Sequence, residues 1–165
     1  MTTNIRLATI DDVNDINAIY NYEVQNGIAT FDINERTESE ALEWFKEHNE
    51  DNHPVFVLEL DDEIIAYCSL SSYRDKDAFD KTAEISLYVS SECRSKGYGR
   101  LLVNYVLDYA KENTNLHSIV AVITSENLIS INLFFSLDFK DGGTIEECGY
   151  KFDKYLGITN LYKVL

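Results

Sequence analysis

The spacing of apolar residues changes along the chain, and each change marks an element. Ile5 to Ala8 reads as a short strand. Thr9, three residues before Asp12, supplies a capping-box variant. Val13, Ile16, Ile19 and Tyr20 then recur at helical spacing. After a polar loop, Thr37 and Glu40 repeat the start signal, and Leu42, Trp44 and Phe45 give a second helix its apolar side. "PVFVLEL" and "EIIAYCSL" flank "DDE" and predict a β-hairpin. "TAEISLYV", Thr82 to Val89, predicts another strand. Leu101, Leu102, Tyr105, Val106 and Tyr109 place a helix from about Gly99 or Arg100 onward. "HSIVAVIT" is almost continuously apolar, the mark of a strand covered on both faces. "NLISINLFFSL" predicts a helix of about three turns, and "YKFDKYLGITNLYKVL" predicts closing strands. Strands and helices alternate in the middle, with hairpins at both ends. That order implies a mixed α/β sheet with helices on its faces.

Size and composition narrow the class. The 165 residues suit one domain spanning 1–165, and 45% hydrophobic residues supply a core for it. Pro54 is the one proline, and no Gly/Ser-rich linker interrupts the chain. The formal net charge of −15 would repel a phosphate backbone, so a nucleic-acid partner is not expected. Such charge serves solubility by itself; it also tolerates a cationic or amine substrate. Cys68, Cys93 and Cys148 are odd in number and form no C-x-x-C pair; His48, His53 and His117 have no ligand spacing. Neither a disulfide framework nor a metal site is expected, and reduced thiols suggest the cytoplasm. "MTTNIRLATIDD" lacks the apolar run of a signal peptide, and no apolar stretch approaches the length of a membrane span.

One segment departs from the acidic background. Between Arg94 and Arg100 stand three cations, two glycines and no carboxylate. Arg94-Ser95-Lys96-Gly97-Tyr98-Gly99 lies after a predicted strand and before a predicted helix. Glycines let successive backbone N–H groups converge, and a helix start adds free donors and partial positive charge. The combination suits a phosphate or pyrophosphate; a turn with solvated charges would also carry such residues. The Walker A pattern fails, because Arg100-Leu101 follow Gly99, and the dinucleotide fingerprint fails at Leu102.

Arg-x-x-Gly-x-Gly in this setting resembles the acetyl-CoA pyrophosphate loop of the GNAT superfamily of N-acetyltransferases. Further segments agree in the same order. "IRLATIDDVNDINAIYN" resembles the family's first strand and helix, and "NLISINLFFSLDF" its Asn-x-x-Ser helix, with Asn127 and Ser130 matching. "IYNYEVQNGIATFD", "YRDKDAF", "TAEISLYV" and "GYKFDKYLG" resemble the phosphinothricin and methionine-sulfoximine acetyltransferase subgroup. The resemblance covers nearly the whole chain. It implies a central twisted mixed sheet of about seven strands with helices on both faces. It implies acetyl-CoA as cosubstrate, between "TAEISLYV" and "HSIVAVIT". Leu87, Tyr88 and Val89 would hold the pantetheine arm and thioester. Arg94, Ser95, Lys96, Gly97, Tyr98, Gly99 and Arg100 would hold the pyrophosphate. Asn127 and Ser130 would meet the cofactor near their helix start, where Asn127 can also be a plain N-cap. A homodimer is implied as well.

Glu84 is the general base by the same resemblance. An ammonium must lose its proton before it attacks a thioester, and a carboxylate accepts one. Phe134 stands where the subgroup has a His or Tyr, so the general-acid role is vacant; either the thiolate leaves unprotonated or Tyr88 or Tyr98 stands in. In the substrate segment Arg74 is kept, Lys76 replaces a second arginine and Asp80 reverses a charge, which weakens a bidentate grip on a carboxylate or phosphinate. Phe31, Tyr73, Lys151 and Tyr155 complete the expected pocket, although the aromatics also suit a core. The expected reaction is acetylation of the primary amine of an amino acid or analogue. A polyamine, an aminoglycoside, a protein N-terminus, or a silent acyl-CoA-binding module are the alternatives.

Overall fold

The computed structural model describes residues 1–48 and 51–165. Its strands are β1 (Thr3–Leu7), β2 (Val55–Leu60), β3 (Glu63–Ser72), β4 (Thr82–Val89), β5 (Ser118–Thr124), β6 (Lys140–Lys151) and β7 (Lys154–Val164). Its α-helices are α1 (Val13–Asn26), α2 (Glu38–Lys46), α3 (Tyr98–Asn113) and α4 (Leu128–Ser136). One sheet runs β1-β2-β3-β4-β5-β7-β6. β4 and β5 pair in parallel, while the other neighbours are antiparallel. A parallel pair needs a long crossover, and α3 is that connection.

Local signals explain the boundaries. The Thr9 amide donates to the Asp12 carboxylate at 2.7 Å, within the short 3-10 turn that leads into α1. Asp12 also receives two bonds from Arg6, at 2.7 and 2.9 Å, which tie the helix start to β1. The Thr37 hydroxyl caps α2 by accepting the Glu40 amide at 3.2 Å. Asp61-Asp62 and Phe152-Asp153 close two-residue hairpins with φ of 50°, 70°, 54° and 56°. Positive φ at both central residues gives the turn a twist that matches the strands.

The sheet carries a core on each face. On one, α3 and α4 bring Leu102, Val106, Ile131 and Phe134 against Phe56, Cys68, Leu70 and Ile85. On the other, α1 brings Ile16, Tyr20 and Val24 against Val55, Val57 and Tyr67. Side chains alternate along a strand. Ile85, Leu87 and Val89 therefore belong to the α3/α4 face, and Tyr88 packs on the α1 face. Glu84 and Ser86 share the face of Tyr88.

Three details differ from the sequence reading. α3 begins at Tyr98, because the turn at Gly97 already feeds it. In α2 the fully buried residue is Ala41, with Leu42, Trp44 and Phe45 partly covered. β6 begins ten residues before Tyr150. It is an edge strand, exposed over most of its length, with register shifts after Asp141 and Ile145, so it lacks an alternating pattern.

Candidate active site

The β4–β5 pairing ends at Ile85 and Ala121. Beyond that point the strands part, leaving one edge of β4 from Ser86 onward without a β5 partner. The gap opens into a cleft of about 340 Å³. A smaller space of about 40 Å³ lies deeper, between Ser86–Tyr88, Val122-Ile123 and Phe134.

The glycine loop forms the mouth of the cleft. Ser95 and Gly97 sit at φ of 59° and 87°, in the left-handed region. That folds the loop so the amides of residues 95–100 have no acceptor among the described residues. Six consecutive donors without a protein acceptor, at the start of a 16-residue helix, are an arrangement suited to an anion. The two glycines do different work. A Cβ on Gly97 would meet no atom within 4 Å, so its need is conformational. A Cβ on Gly99 would come 3.1 Å from Leu87 Cδ2, so there the need is close helix–strand packing.

Leu87, Tyr88, Val89, Arg94, Ser95, Gly97, Tyr98, Gly99, Arg100, Asn127 and Ser130 all line the cleft. Lys96 does not; its Nζ donates to the Glu92 carbonyl at 3.0 Å. The Arg94 guanidinium is ion-paired with buried Glu23 of α1, and its Nε donates to the Val89 carbonyl at 3.2 Å. Arg94 thus braces the loop against α1. Asn127 caps α4 by accepting the Ser130 amide at 3.3 Å, while facing both spaces. Glu23, the Gly27–Ala29 turn, Ile129 and Leu133 also line the cleft, although the sequence reading missed them. The Glu23–Arg94 pair spans 71 residues, a separation that no local pattern reveals.

Glu84 lies on the opposite face of β4, half-buried. It accepts no hydrogen bond and forms no ion pair among the described residues. Burial raises its pKa above the ordinary carboxylate value. A carboxylate held above its usual range without a competing partner is suited to accept a proton. Tyr88 stacks on Tyr67 with ring centroids 5.2 Å apart, and burial pushes its phenol up as well. Phe134 is buried against Phe139 and carries no proton to give.

The expected substrate residues fall into two groups. Tyr73, Arg74 and Lys76 lie on the connection from β3 to β4. The Arg74 guanidinium sits 5.2 Å from the Tyr73 ring centre and 5.9 Å from that of Phe79, and makes no hydrogen bond or ion pair among the described residues. Phe31, Lys151 and Tyr155 lie around the tip of the β6–β7 hairpin. Phe31 packs where a Cβ on Gly149 would otherwise be, and Tyr155 is exposed beside Tyr150. Lys151 is not an open pocket wall. It is buried, and its ammonium donates to the carbonyls of Thr30 at 2.9 Å and Glu23 at 3.3 Å. Its pKa is lowered, first by burial, against the pull of Glu23 and Asp32.

Residues 5–158 match the acetyltransferase (GNAT) domain family. The chain belongs to the GNAT acetyltransferases. Among GNAT relatives, the L-methionine sulfoximine/L-methionine sulfone acetyltransferase of Pseudomonas aeruginosa is 32% identical over 96% of this chain and 92% of its own length. The L-amino acid N-acyltransferase MnaT of Escherichia coli is 31% identical over 94% and 90%. A GNAT phosphinothricin acetyltransferase from Sinorhizobium meliloti, solved in complex with acetyl-CoA, superposes with a TM-score of 0.95 at 28% identity, covering 100% of this chain and 89% of that one. The seven-stranded sheet with helices on both faces is therefore the GNAT architecture, and the parted strands and glycine loop are features of a GNAT acetyltransferase in this chain.

Proposed function

We propose that this GNAT enzyme moves an acetyl group from acetyl-CoA to the primary amine of a small amino acid or close analogue, of the phosphinothricin and methionine-sulfoximine kind. The observation that carries the reading is the position of Glu84: an unpartnered, half-buried carboxylate that lies outside both linings but only two residues before the free edge of β4, which opens into a cleft with unpaired amides at its mouth. Acetyl-CoA supplies the activated acetyl thioester. The amides of residues 95–100 hold its pyrophosphate, and the free edge of β4 from Leu87 to Val89 holds its arm and thioester carbonyl. Asn127 and Ser130 close the wall.

Glu84 takes a proton from the substrate ammonium. The freed nitrogen lone pair forms a bond to the thioester carbon, and the carbon–sulfur bond breaks with its electron pair on sulfur. Phe134 cannot protonate that thiolate. Either it leaves as an anion or Tyr88, a residue that borders both spaces, gives it the phenol proton. A neutral amine attacks a thioester without Lewis-acid help, so the reading needs no metal. Arg74 holds the substrate's acidic group, with Tyr73 and Phe79 keeping the guanidinium oriented. Lys76 adds a second charge without a bidentate fork. Phe31 and Tyr155 shape the far wall, and Lys151 holds the Phe31 loop in place.

The acidic chain, with Asp75, Asp77 and Asp80 around Arg74, favours a second reading in which the acceptor is a cationic polyamine. We further assign the enzyme to the cytoplasm as a homodimer of one-domain subunits. Its three cysteines are free, and β6 leaves one edge unpaired beside exposed Ile145, Tyr150, Phe152 and Tyr155. Thiol release from acetyl-CoA with a panel of amino acids, analogues and polyamines is the direct test. The reading expects release with the amino acids or analogues. No release with any of them, or release with polyamines alone, contradicts it.

A further inference from the structure

Behind Glu84 lies a chain of hydrogen bonds that the reaction as described does not use. His48, just beyond α2, is buried with its ring against Trp44 at 4.6 Å. Its Nδ1 lies 2.6 Å from the Trp44 carbonyl and its Nε2 lies 2.7 Å from the Ser71 hydroxyl. A carbonyl oxygen only accepts, so Nδ1 carries the proton. In a neutral imidazole the lone pair is then on Nε2, and Ser71 must donate to it. The Ser71 oxygen is left with lone pairs alone to offer elsewhere.

Ser71 stands directly opposite Glu84 in the β3–β4 register. Residues opposite each other in an antiparallel pair share a face, with Cβ atoms about 4.5–5.5 Å apart. Ser71 is also only partly buried, so its oxygen is within reach of a ligand that touches Glu84. We propose that Ser71, fixed as an acceptor by His48, receives an N–H of the substrate ammonium beside Glu84 and orients the amine for attack. Ser71 touches the substrate; His48 is a positioning residue that acts through it. The proposal rests on Glu84 being the base.

An ammonium has three N–H bonds. One gives its proton to Glu84 and a second is held by Ser71, which turns the forming lone pair toward the parted strands. A hydroxyl free to rotate could instead donate to the Glu84 carboxylate and compete with the substrate. His48 removes that choice. Protonation of His48 would make Nε2 a donor, reverse the Ser71 hydroxyl, and set a proton where the ammonium needs a lone pair. The charged and titratable groups around His48 are Glu47 at the same helix end, His53 before β2 and Arg36 before α2. Burial is the largest influence on the ring and keeps it neutral further into acid than a free histidine.

The test compares Ser71→Thr with Ser71→Val, which are alike in shape and differ in the hydroxyl, and sets beside them His48→Phe and the Val/Phe double variant. The expected result is that Ser71→Thr keeps most of the activity. Ser71→Val and His48→Phe should each lose roughly 10- to 100-fold in kcat/KM for the amine, the scale of a hydrogen bond to a charged group. The KM for acetyl-CoA should stay unchanged, and the double variant should be no worse than the worse single, since one couple is broken once. The acid limb of kcat/KM should be shallower in His48→Phe, because one titrating group is gone. Equal amine kcat/KM for Ser71→Thr and Ser71→Val overturns the proposal, as do losses that multiply in the double variant. Glu84→Gln, measured in parallel, reports separately on the base: an inactive Glu84→Gln beside a fully active Ser71→Val sinks the Ser71 role alone.

Discussion

In the proposed mechanism Glu84 is the base, and its environment then sets a pH profile. Burial raises its pKa, and only the ionised form accepts a proton. Activity must therefore fall, as pH drops, from a point above the ordinary glutamate value of about 4.3. Glu84→Gln should lower kcat by roughly 10²–10⁴-fold at neutral pH while leaving acetyl-CoA affinity intact. The deficit should shrink in alkali, where the amine is already neutral. A variant with the wild-type rate across the pH range would remove Glu84 from the mechanism. The two loop glycines separate just as cleanly. Gly97→Ala meets open space but forces a left-handed alanine, at roughly 1 kcal/mol. The free loop of the variant escapes that strain by relaxing to negative φ and must return to bind, so calorimetry should show acetyl-CoA binding weakened by about fivefold. Affinity equal to wild type would mean that the φ of 87° at Gly97 does not matter for the pyrophosphate site.

At the scale of elements, Arg6 and Asp12 join β1 to the start of α1, with Glu59 of β2 as a third member at 2.6 Å. Arg6 is the first cause that holds Asp12 below the ordinary carboxylate range, with the Thr9 amide adding to it. A carboxylate depressed by folding stabilises the native state above its unfolded pKa and loses that contribution as pH falls through its folded one. Asp12→Asn should therefore cost about 2 kcal/mol near neutral pH, which lowers Tm by roughly 4–8 °C in a chain of this size. The gap should close in acid below the usual carboxylate range. A gap of constant size in thermal melts at all pH values would contradict the pair's role. Elements with a local signal were legible in the sequence. The capping pairs Thr9/Asp12 and Thr37/Glu40, the hairpin around Asp61-Asp62, and the apolar runs of β2, β4 and β5 each carry their own instructions, whereas the turn at Phe152-Asp153 has no glycine or asparagine to announce it. β6 was not, because an exposed edge strand with irregular register has no face to bury and so no alternation to read. The glycine loop, Glu84, Asn127 and Ser130 were legible as types in an order. The Glu23–Arg94 pair, the burial of Lys151 and the Ser71–His48 contact were not, since each joins segments that only the folded sheet brings together.

The whole molecule sets a formal charge of −15 around the site proposed for the polyanionic acetyl-CoA. At the mouth of the cleft the unpaired amides stand beside one cation with no acidic partner among the described residues, Arg100, since Arg94 is paired with Glu23 and Lys96 lies outside the lining. Acetyl-CoA affinity should accordingly depend only modestly on salt, because fixed dipoles in a partly desolvated site are screened less than exposed charges. On the acceptor side, Arg74, Lys76 and three aspartates offer both signs of charge. The most direct measurement is therefore chemical. Purified enzyme is incubated with acetyl-CoA and L-methionine sulfoximine or phosphinothricin, wild type beside Glu84→Gln, and product is followed by mass spectrometry. The account predicts an N-acetylated amine formed in step with free CoA by the wild type and almost none by the variant. Equal product from both proteins, or binding of acetyl-CoA with no acetylated amine from any amino acid, would contradict it.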